Sequence, residues 1–392
     1  MNALFQRLRG DRVIWMTALF LAVISLLAVY SSISSLAFKR EGGSTLHFLF
    51  KHGLMLGSGF LIMFYASRLK YSMYSRLSQL AIPFVAGLLL LTLLLGTNLN
   101  DASRWITIPI INQSFQTSDL AKVVLIIYLA RVLGKHQGEE WTLREVLLKL
   151  MLPVGAICGL ILPANFSTAA VLFTVCLIIM FIAQVPMKHM VLVVGTAVLV
   201  FVLLLLFAKT TPGLLPRLDT WVARIESFGV EDHNANYQVE HAKIAIASGG
   251  LLPNGPGSGA SRNFLPHPYS DMIYAFIIEE YGSIIGGLGL LLLYLILLFR
   301  AVRIASNCDK VFGSLVAVGL SLMLVVQAMI NMAVAVNLVP VTGQPLPLVS
   351  MGGTSVWFTC LAIGIVLSVS RSLEEVDAPV KPEARRPRTV VA

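Results

Sequence analysis

The sequence predicts an all-α polytopic membrane protein of about ten transmembrane helices, with one large extracytoplasmic loop between the seventh and the eighth. Three observations carry this. Hydrophobic residues make up 57% of the chain and charged ones 12%, against roughly 25% charged in soluble domains. Mean hydropathy is +0.81. Apolar runs of about 17–25 residues, the length that crosses a bilayer, recur along the chain.

Those runs begin near Val13, His47, Leu80, Asp119, Val146, Thr168, His189, Met272, Phe312 and Gly352. They consume nearly the whole chain, which divides into a cytoplasmic N-terminus (1–12), one transmembrane domain (13–371) holding a loop at 209–270, and a cytoplasmic tail (372–392). The N-terminus has basic residues before a long apolar run but no small-residue cleavage site, so it reads as an uncleaved first helix. Orientation follows from Lys and Arg, which are retained on the cytoplasmic side of short loops. Arg7, Arg9 and Arg12 precede the first run; Arg68, Lys70 and Arg76 follow the second; Arg131, Lys135 and Arg144 follow the fourth. Lys188 follows the sixth, Arg300, Arg303 and Lys310 follow the eighth, and the tail carries Lys381, Arg385, Arg386 and Arg388. Both termini are therefore expected in the cytoplasm. The net charge of +9 is mainly topological and gives no reason to propose nucleic acid as a partner. Cys158, Cys176, Cys308 and Cys360 have neither metal-ligand nor redox spacing, and no fixed-period repeat is visible.

On this topology, four segments gather polar residues on the outer face. In 100–122, NDASRWITIPIINQSFQTSDLAK, Arg104 lies in a loop, Ser118 or Asp119 is placed to cap the next helix, and Lys122 enters its first turn. Lys122 is either a buried functional cation or a side chain snorkelling to the headgroups. In the long loop, Asp219–Phe228 has Trp221, Ile225 and Phe228 at helical spacing, an amphipathic helix that packs on the protein or lies in lipid. Tyr237–Ser248 reads as a second short helix ended by Gly249 and Gly250.

The third segment, 255–282, is GPGSGASRNFLPHPYSDMIYAFIIEEYG. Glycines at 255, 257 and 259 permit close backbone approach to a pyrophosphate or sugar, or make a flexible turn. Asp271 stands before an apolar helix, as a chemical group or as its N-cap. Glu279 and Glu280 follow two turns later, and adjacent carboxylates near hydrocarbon require partners or a polar cavity. The fourth segment, 327–355, places Gln327 and Asn331 on one helix face, as interhelical hydrogen-bond partners or ligands. A run rich in Pro and Gly follows, up to Ser355, and irregular backbone at that depth needs protein or water around it.

The order RWI, QTSDLAK, GPGSG, FLPHPYSDMIYAFIIEEYG and NLVPVTGQPLPLVSMGGTS resembles the SEDS family (shape, elongation, division and sporulation proteins) from about Val13 to Arg371. The resemblance implies a ten-helix bacterial inner-membrane enzyme that polymerises lipid II into β-1,4 glycan strands of peptidoglycan. Its partners would be lipid II, a class B penicillin-binding protein, other division proteins and membrane lipid. Asp271 falls on the family's essential acid, Arg104 and Lys122 on basic residues of its cavity, and Glu279 and Glu280 on its paired glutamates. ASRWI and GPGSG look more like the cell-division branch, whereas Thr342 in PVTG pulls the other way. PANFSTA departs from the family's usual QPDLGTA, with Asn165 for the acid and Ser167 for a glycine, so no role of that acid carries over; Met351 stands where an aromatic is usual.

The reaction so implied is an inverting displacement: a sugar 4-hydroxyl attacks an anomeric carbon and undecaprenyl pyrophosphate leaves. Asp271 would be the general base and the catalytic residue. Arg104 and Lys122 would bind the pyrophosphate, with Glu279 and Glu280 orienting them, and Gly257, Gln327, Asn331 and Ser355 would complete substrate binding. No cofactor is demanded; a divalent cation, Mg or Mn, bridging pyrophosphate and carboxylate is an added option without a visible ligand cluster. A flippase for lipid-linked precursor and a scaffold of the division machinery are the alternative readings.

Overall fold

The computed structural model describes residues 9–33, 45–99, 102–108, 113–210, 220–222, 224, 237–265 and 269–377. Three long helices come first: α1 (Arg12–Ser32), α2 (Thr45–Arg68) and α3 (Tyr71–Leu95). Strands β1 (Thr97–Leu99), β2 (Ala102–Ile108) and β3 (Gln113–Gln116) then form a three-stranded antiparallel sheet in the order β1-β2-β3. Helix α4 (Thr117–Lys135) follows directly. Helix α5 starts as Leu143–Glu145, passes through a π-helical stretch at Val146–Met151 and continues as Leu152–Ile161. Next come α6 (Phe166–Ile182), α7 (Met187–Thr210) and the short α8 (Tyr237–Gly249). Helix α9 (Ile273–Tyr281) joins α10 (Gly289–Ser306) through the π-helical Gly282–Leu288, and α11 (Val311–Ala335) and α12 (Ser355–Asp377) complete the chain.

Seven of these stretches are long and apolar enough to cross a membrane: α1, α2, α3, α7, the α9–α10 run, α11 and α12. The three other expected spans correspond to α4, α5 and α6. Helix α6 is apolar but shorter, while α4 carries Asp119, Lys122, Arg131 and Lys135 and α5 carries Arg144, Glu145 and Lys149. Helix α3 begins nine residues before the apolar run at Leu80, because its first turns are amphipathic: Tyr74 and Ser78 are buried while their neighbours face outward. The sheet was not expected either. Its β2 contains the β-branched alternation ITI, with Ile106 paired to Phe115, so backbone pairing prevails over a loop in a stretch rich in strand-forming residues.

Both ends of the described chain meet at one end of the bundle. Asp11 caps α1 through Val13 N at 2.8 Å, receives Arg300 Nε at 2.7 Å, and donates its own amide to Ser370 Oγ at 3.0 Å. At the opposite end Ser31 donates to Glu280. Glu280 and Arg300 are twenty residues apart, as are Asp11 and Ser31, which at about 1.5 Å per residue is about 30 Å, the thickness of a bilayer core. The paired glutamates therefore stand at the boundary of the apolar layer opposite the termini rather than within it.

Helix α9 lies across that end of the bundle. Asn331 Nδ2 of α11 donates to Asp271 O at 2.8 Å just before the helix, and Ser31 of α1 holds Glu280 at its far end. Both ends are thus level with the tops of neighbouring helices. Gly282, with φ +74, makes the bend into α10, and every residue from Ile273 to Glu280 is buried. Helix α8 packs on α9 where Gly249 meets it: a Cβ there would stand 2.2 Å from Ile278 O. At the centre, α11 and α12 bury 67% and 72% of their most apolar windows, whereas α7 buries 6% and faces outward. Without a hydrophobic drive between helices in lipid, close approach of small residues supplies packing, and Gly364 of α12 sits where a Cβ would be 2.7 Å from Met63 O of α2.

Candidate functional site opposite the termini

Asp271 lies on the turn before α9, half-buried. That turn is pinned by three successive carbonyls. Tyr269 O accepts from Met351 N at 2.9 Å, Ser270 O from Ser350 Oγ at 2.6 Å and Asp271 O from Asn331 Nδ2 at 2.8 Å. The N-cap of α9 is Met272, with no side-chain capping bond, so Asp271 does not serve as that cap.

The broken segment 336–354 is held from the other side by amides within the bundle. Asn331 Nδ2 also donates to Gln344 O at 2.7 Å, Gln327 Nε2 donates to Pro345 O at 2.9 Å, and Gln344 Nε2 donates to Thr168 Oγ1 at 2.6 Å. Gln327 and Asn331 are thus hydrogen-bond partners of irregular backbone, which would otherwise expose unpaired carbonyls at this depth. Arg224, in the part of the long loop that is described, donates to Val341 O at 2.9 Å. Trp221 packs on Phe166 with ring centroids 4.5 Å apart, so this part of the amphipathic stretch rests on the protein; Ile225 and Phe228 lie outside the described residues.

Lys122 is buried, 2.7 Å from Asp119 Oδ1, and its Nζ donates to Gln327 Oε1 at 3.0 Å. It does not snorkel. Helix α4 begins at Thr117 after Gln116 with no side-chain cap, so neither Ser118 nor Asp119 has the expected capping role, and Asp119 is the counter-ion of Lys122. Lys122, Gln327 and Ser355 surround a void of about 20 Å³, room for about one water. Arg104 lies on β2, and its side chain falls outside the described residues.

The carboxylates of Glu279 and Glu280 are spent on the glycine-rich loop. Glu280 Oε1 accepts from Gly257 N at 2.8 Å as well as from Ser31, and Glu279 Oε1 accepts from Ala260 N at 3.0 Å and Ser261 N at 3.2 Å. Of the glycines read as approaching a pyrophosphate or sugar, Gly257 gives its amide to Glu280, and Lys122 is oriented by Asp119 and Gln327 rather than by the paired glutamates; their orienting of Arg104 falls outside the described residues. Gly257 keeps the left-handed backbone anticipated for it, with φ +84.

Several contributors escaped the sequence reading. Gln344, Ser350, Thr168 and Ser31 each hold an element of the site. The available signal was the cost of placing an amide or hydroxyl in apolar surroundings, which implies a partner without naming it. Asn165, the departure from the family pattern, caps α6 by accepting from Thr168 N at 3.3 Å. Among the described residues no group of three or more His, Cys, Asp or Glu stands together as a metal site.

Comparison with known proteins agrees with this architecture. A solved structure described as "Structural coordination of polymerization and crosslinking by a peptidoglycan synthase complex" matches with TM-score 0.72 and 24% identity, covering 93% of this chain and 98% of that one. The rod shape determining protein RodA of Thermus thermophilus matches with TM-score 0.66 and 24% identity, covering 93% of this chain and 97% of that one. Among sequences, the probable peptidoglycan glycosyltransferase FtsW of Coxiella burnetii is 32% identical over 375 residues, 92% of this chain and 96% of that protein. The stage V sporulation protein E of Bacillus subtilis is 30% identical over 367 residues, 92% of this chain and 97% of that protein. The FTSW_RODA_SPOVE profile, described as "Cell cycle protein", matches residues 11–375, and with that coverage the chain belongs to the FtsW/RodA/SpoVE family.

Proposed function

We propose that this chain is a peptidoglycan glycosyltransferase that polymerises lipid II at the outer face of the bacterial inner membrane, during septal synthesis, with Asp271 as general base. The observation that carries the reading is the pinned turn: Tyr269, Ser270 and Asp271 are fixed through their carbonyls by the 331–351 segment, which leaves the Asp271 carboxylate half-buried at the outer end without a capping role. A group held by its backbone keeps its position while its side chain exchanges a proton.

A sugar hydroxyl is a weak nucleophile at neutral pH, and a carboxylate taking its proton in the transition state is worth roughly 10²–10⁴-fold. An α-linked pyrophosphate donor giving a β-linked product needs one inverting displacement and no second nucleophile. Undecaprenyl pyrophosphate leaves with developing negative charge, which Arg104 offsets from β2. Lys122, held between Asp119 and Gln327 beside a water-sized void, acts through Gln327 on the segment that grips Asp271. A divalent cation, Mg or Mn, would take the substrate's pyrophosphate as its main ligand, and chelation during turnover measures that contribution.

The partners that fit the reading are lipid II, a class B penicillin-binding protein acting on the new strands, other division proteins and the surrounding lipid. The test is reconstitution in liposomes with lipid II in the outer leaflet and the transpeptidase partner present but blocked by a β-lactam. Uncrosslinked glycan is the expected product. Movement of lipid II between leaflets without glycan would make the chain a flippase, and neither outcome would leave it a scaffold.

A further inference from the structure

A cleft at the end that holds the termini takes no part in the account so far. Its floor is the junction of three helices, where Arg300 of α10 grips Asp11 ahead of α1 and the Asp11 amide meets Ser370 of α12. Two faces rise from that floor. Arg303 and Asn307 follow Arg300 at helical spacing along α10, and Leu373 and Glu374 follow Ser370 along α12. Together with Arg12 they surround a space of about 470 Å³, inside the range of about 300–1,000 Å³ typical of small-molecule sites.

The charges around this space are opposite in sign, yet they do not close on one another. Asp11 is spent on Arg300 and on the amides of Val13 and Ile14. Arg12 and Arg303 are exposed and make no hydrogen bond or ion pair with another described residue. Glu374 accepts the Gly10 amide at 3.0 Å on one carboxylate oxygen, and its other oxygen has no partner among the described residues. Two free guanidiniums and a half-used carboxylate therefore line one cleft.

Depth and chemistry narrow the occupant. Arg300 marks the edge of the apolar layer, about 30 Å from Glu280. Arg303 and Asn307 continue beyond it, so the cleft opens at the level of lipid head groups. Val13, 39% exposed, and Leu373 line the same space and suit glycerol and acyl carbons. A purely anionic head group would answer the guanidiniums but meet repulsion from Glu374, and a lone cation would do the reverse. A head group that joins a phosphate to a primary ammonium answers both. Guanidiniums match phosphate oxygens with their planar fork, and an ammonium offers three donors to the free carboxylate oxygen.

We propose that this cleft binds the head group of one aminophospholipid, with its phosphate on Arg12 and Arg303 and its ammonium on Glu374. With basic residues retained inside, the lipid comes from the cytoplasmic leaflet, and it ties α1, α10 and α12 together at the end away from the Asp271 turn. Nothing in this site depends on the glycosyltransferase reading.

The experiment is native mass spectrometry of the full chain released from micelles holding equal amounts of phosphatidylethanolamine, phosphatidylcholine and phosphatidylglycerol. One phosphatidylethanolamine is expected to stay bound in preference to the others, because the choline cation donates no hydrogen bond and the glycerol head group carries no cation. Arg12→Gln and Arg303→Gln are each expected to lower its retention about two- to fivefold. Glu374→Gln, which keeps an acceptor for the Gly10 amide, is expected to turn the preference toward phosphatidylglycerol. Soluble phosphoethanolamine, with the same charges and no chains, is expected to compete only in large excess. Equal retention of the three lipids, full retention by both arginine variants, or an unchanged preference in Glu374→Gln would overturn the proposal. So would a parent that prefers phosphatidylglycerol, which would make the cleft a site for anionic lipid, or phosphoethanolamine binding as tightly as the lipid. Retention that appears only after residues 378–392 are deleted would assign the cleft to the chain's own tail instead.

Discussion

Lys122 and Asp119 show how far single residues of this site depend on one another. Both are buried, and the ammonium is held between Asp119 and Gln327. Removing one partner of a buried pair leaves an uncompensated charge, at a cost of about 3–5 kcal/mol, whereas replacing both can be nearly neutral. Lys122→Met is therefore expected to lower the thermal unfolding midpoint in detergent sharply, and Lys122→Met combined with Asp119→Leu to recover most of the loss. If the double variant melted no higher than the single one, the ion pair would not be the reason. The sequence picked out Asp271, Lys122, Gln327 and Asn331 as exceptional because each is polar beside apolar runs. It did not reveal their partners, since the groups that meet Asn331 and Lys122 come from residues 60 and 205 positions away along the chain. Glu279 and Glu280 were legible as costly for the same reason, yet their employment on loop amides was not, because an amide carries no side-chain signature.

The site is assembled by elements that depart from regular spanning helices. Helix α9 runs across the bundle, the 336–354 segment is irregular, and the chain after α8 folds back onto α9, with Glu280 O accepting from Asn254 N at 3.0 Å. Close packing of α8 on α9 depends on Gly249, where any side chain would meet Ile278 O. Gly249→Ala is expected to cost about 1–3 kcal/mol by overpacking and to expose the 237–249 helix to protease in membranes; unchanged protection would contradict this packing. Gly249 was read from sequence as a helix terminator, and the structure adds the contact that makes it indispensable. Apolar periodicity located nine of the ten runs within a few residues of their starts and misplaced that of α3, whose amphipathic first turns do not read as apolar. It was blind to the sheet, whose strands are three to seven residues long.

For the molecule as a whole, the two ends of the described chain share one face with Arg12, Arg300 and Arg371, and the proposed site occupies the other. With basic residues retained inside, Cys308, half-buried at the basic end, should resist a membrane-impermeant maleimide in intact spheroplasts and react after permeabilisation. A cysteine introduced at Phe264 in a background lacking Cys308 should do the opposite. Reversal of the two patterns would invert the topology and place Asp271 in the cytoplasm. Fold class was legible from composition because a chain this apolar has few options in lipid.

In the proposed reaction the carboxylate of Asp271, presented by a turn gripped through its backbone, takes the proton of the attacking sugar hydroxyl. Purified Asp271→Asn, incubated with fluorescent lipid II beside the parent, measures it most directly. An unchanged melting profile is expected, since the three carbonyl bonds of the turn survive the substitution, together with loss of glycan product by roughly 10²-fold or more. Glycan strands formed by Asp271→Asn at the parent's rate would contradict it.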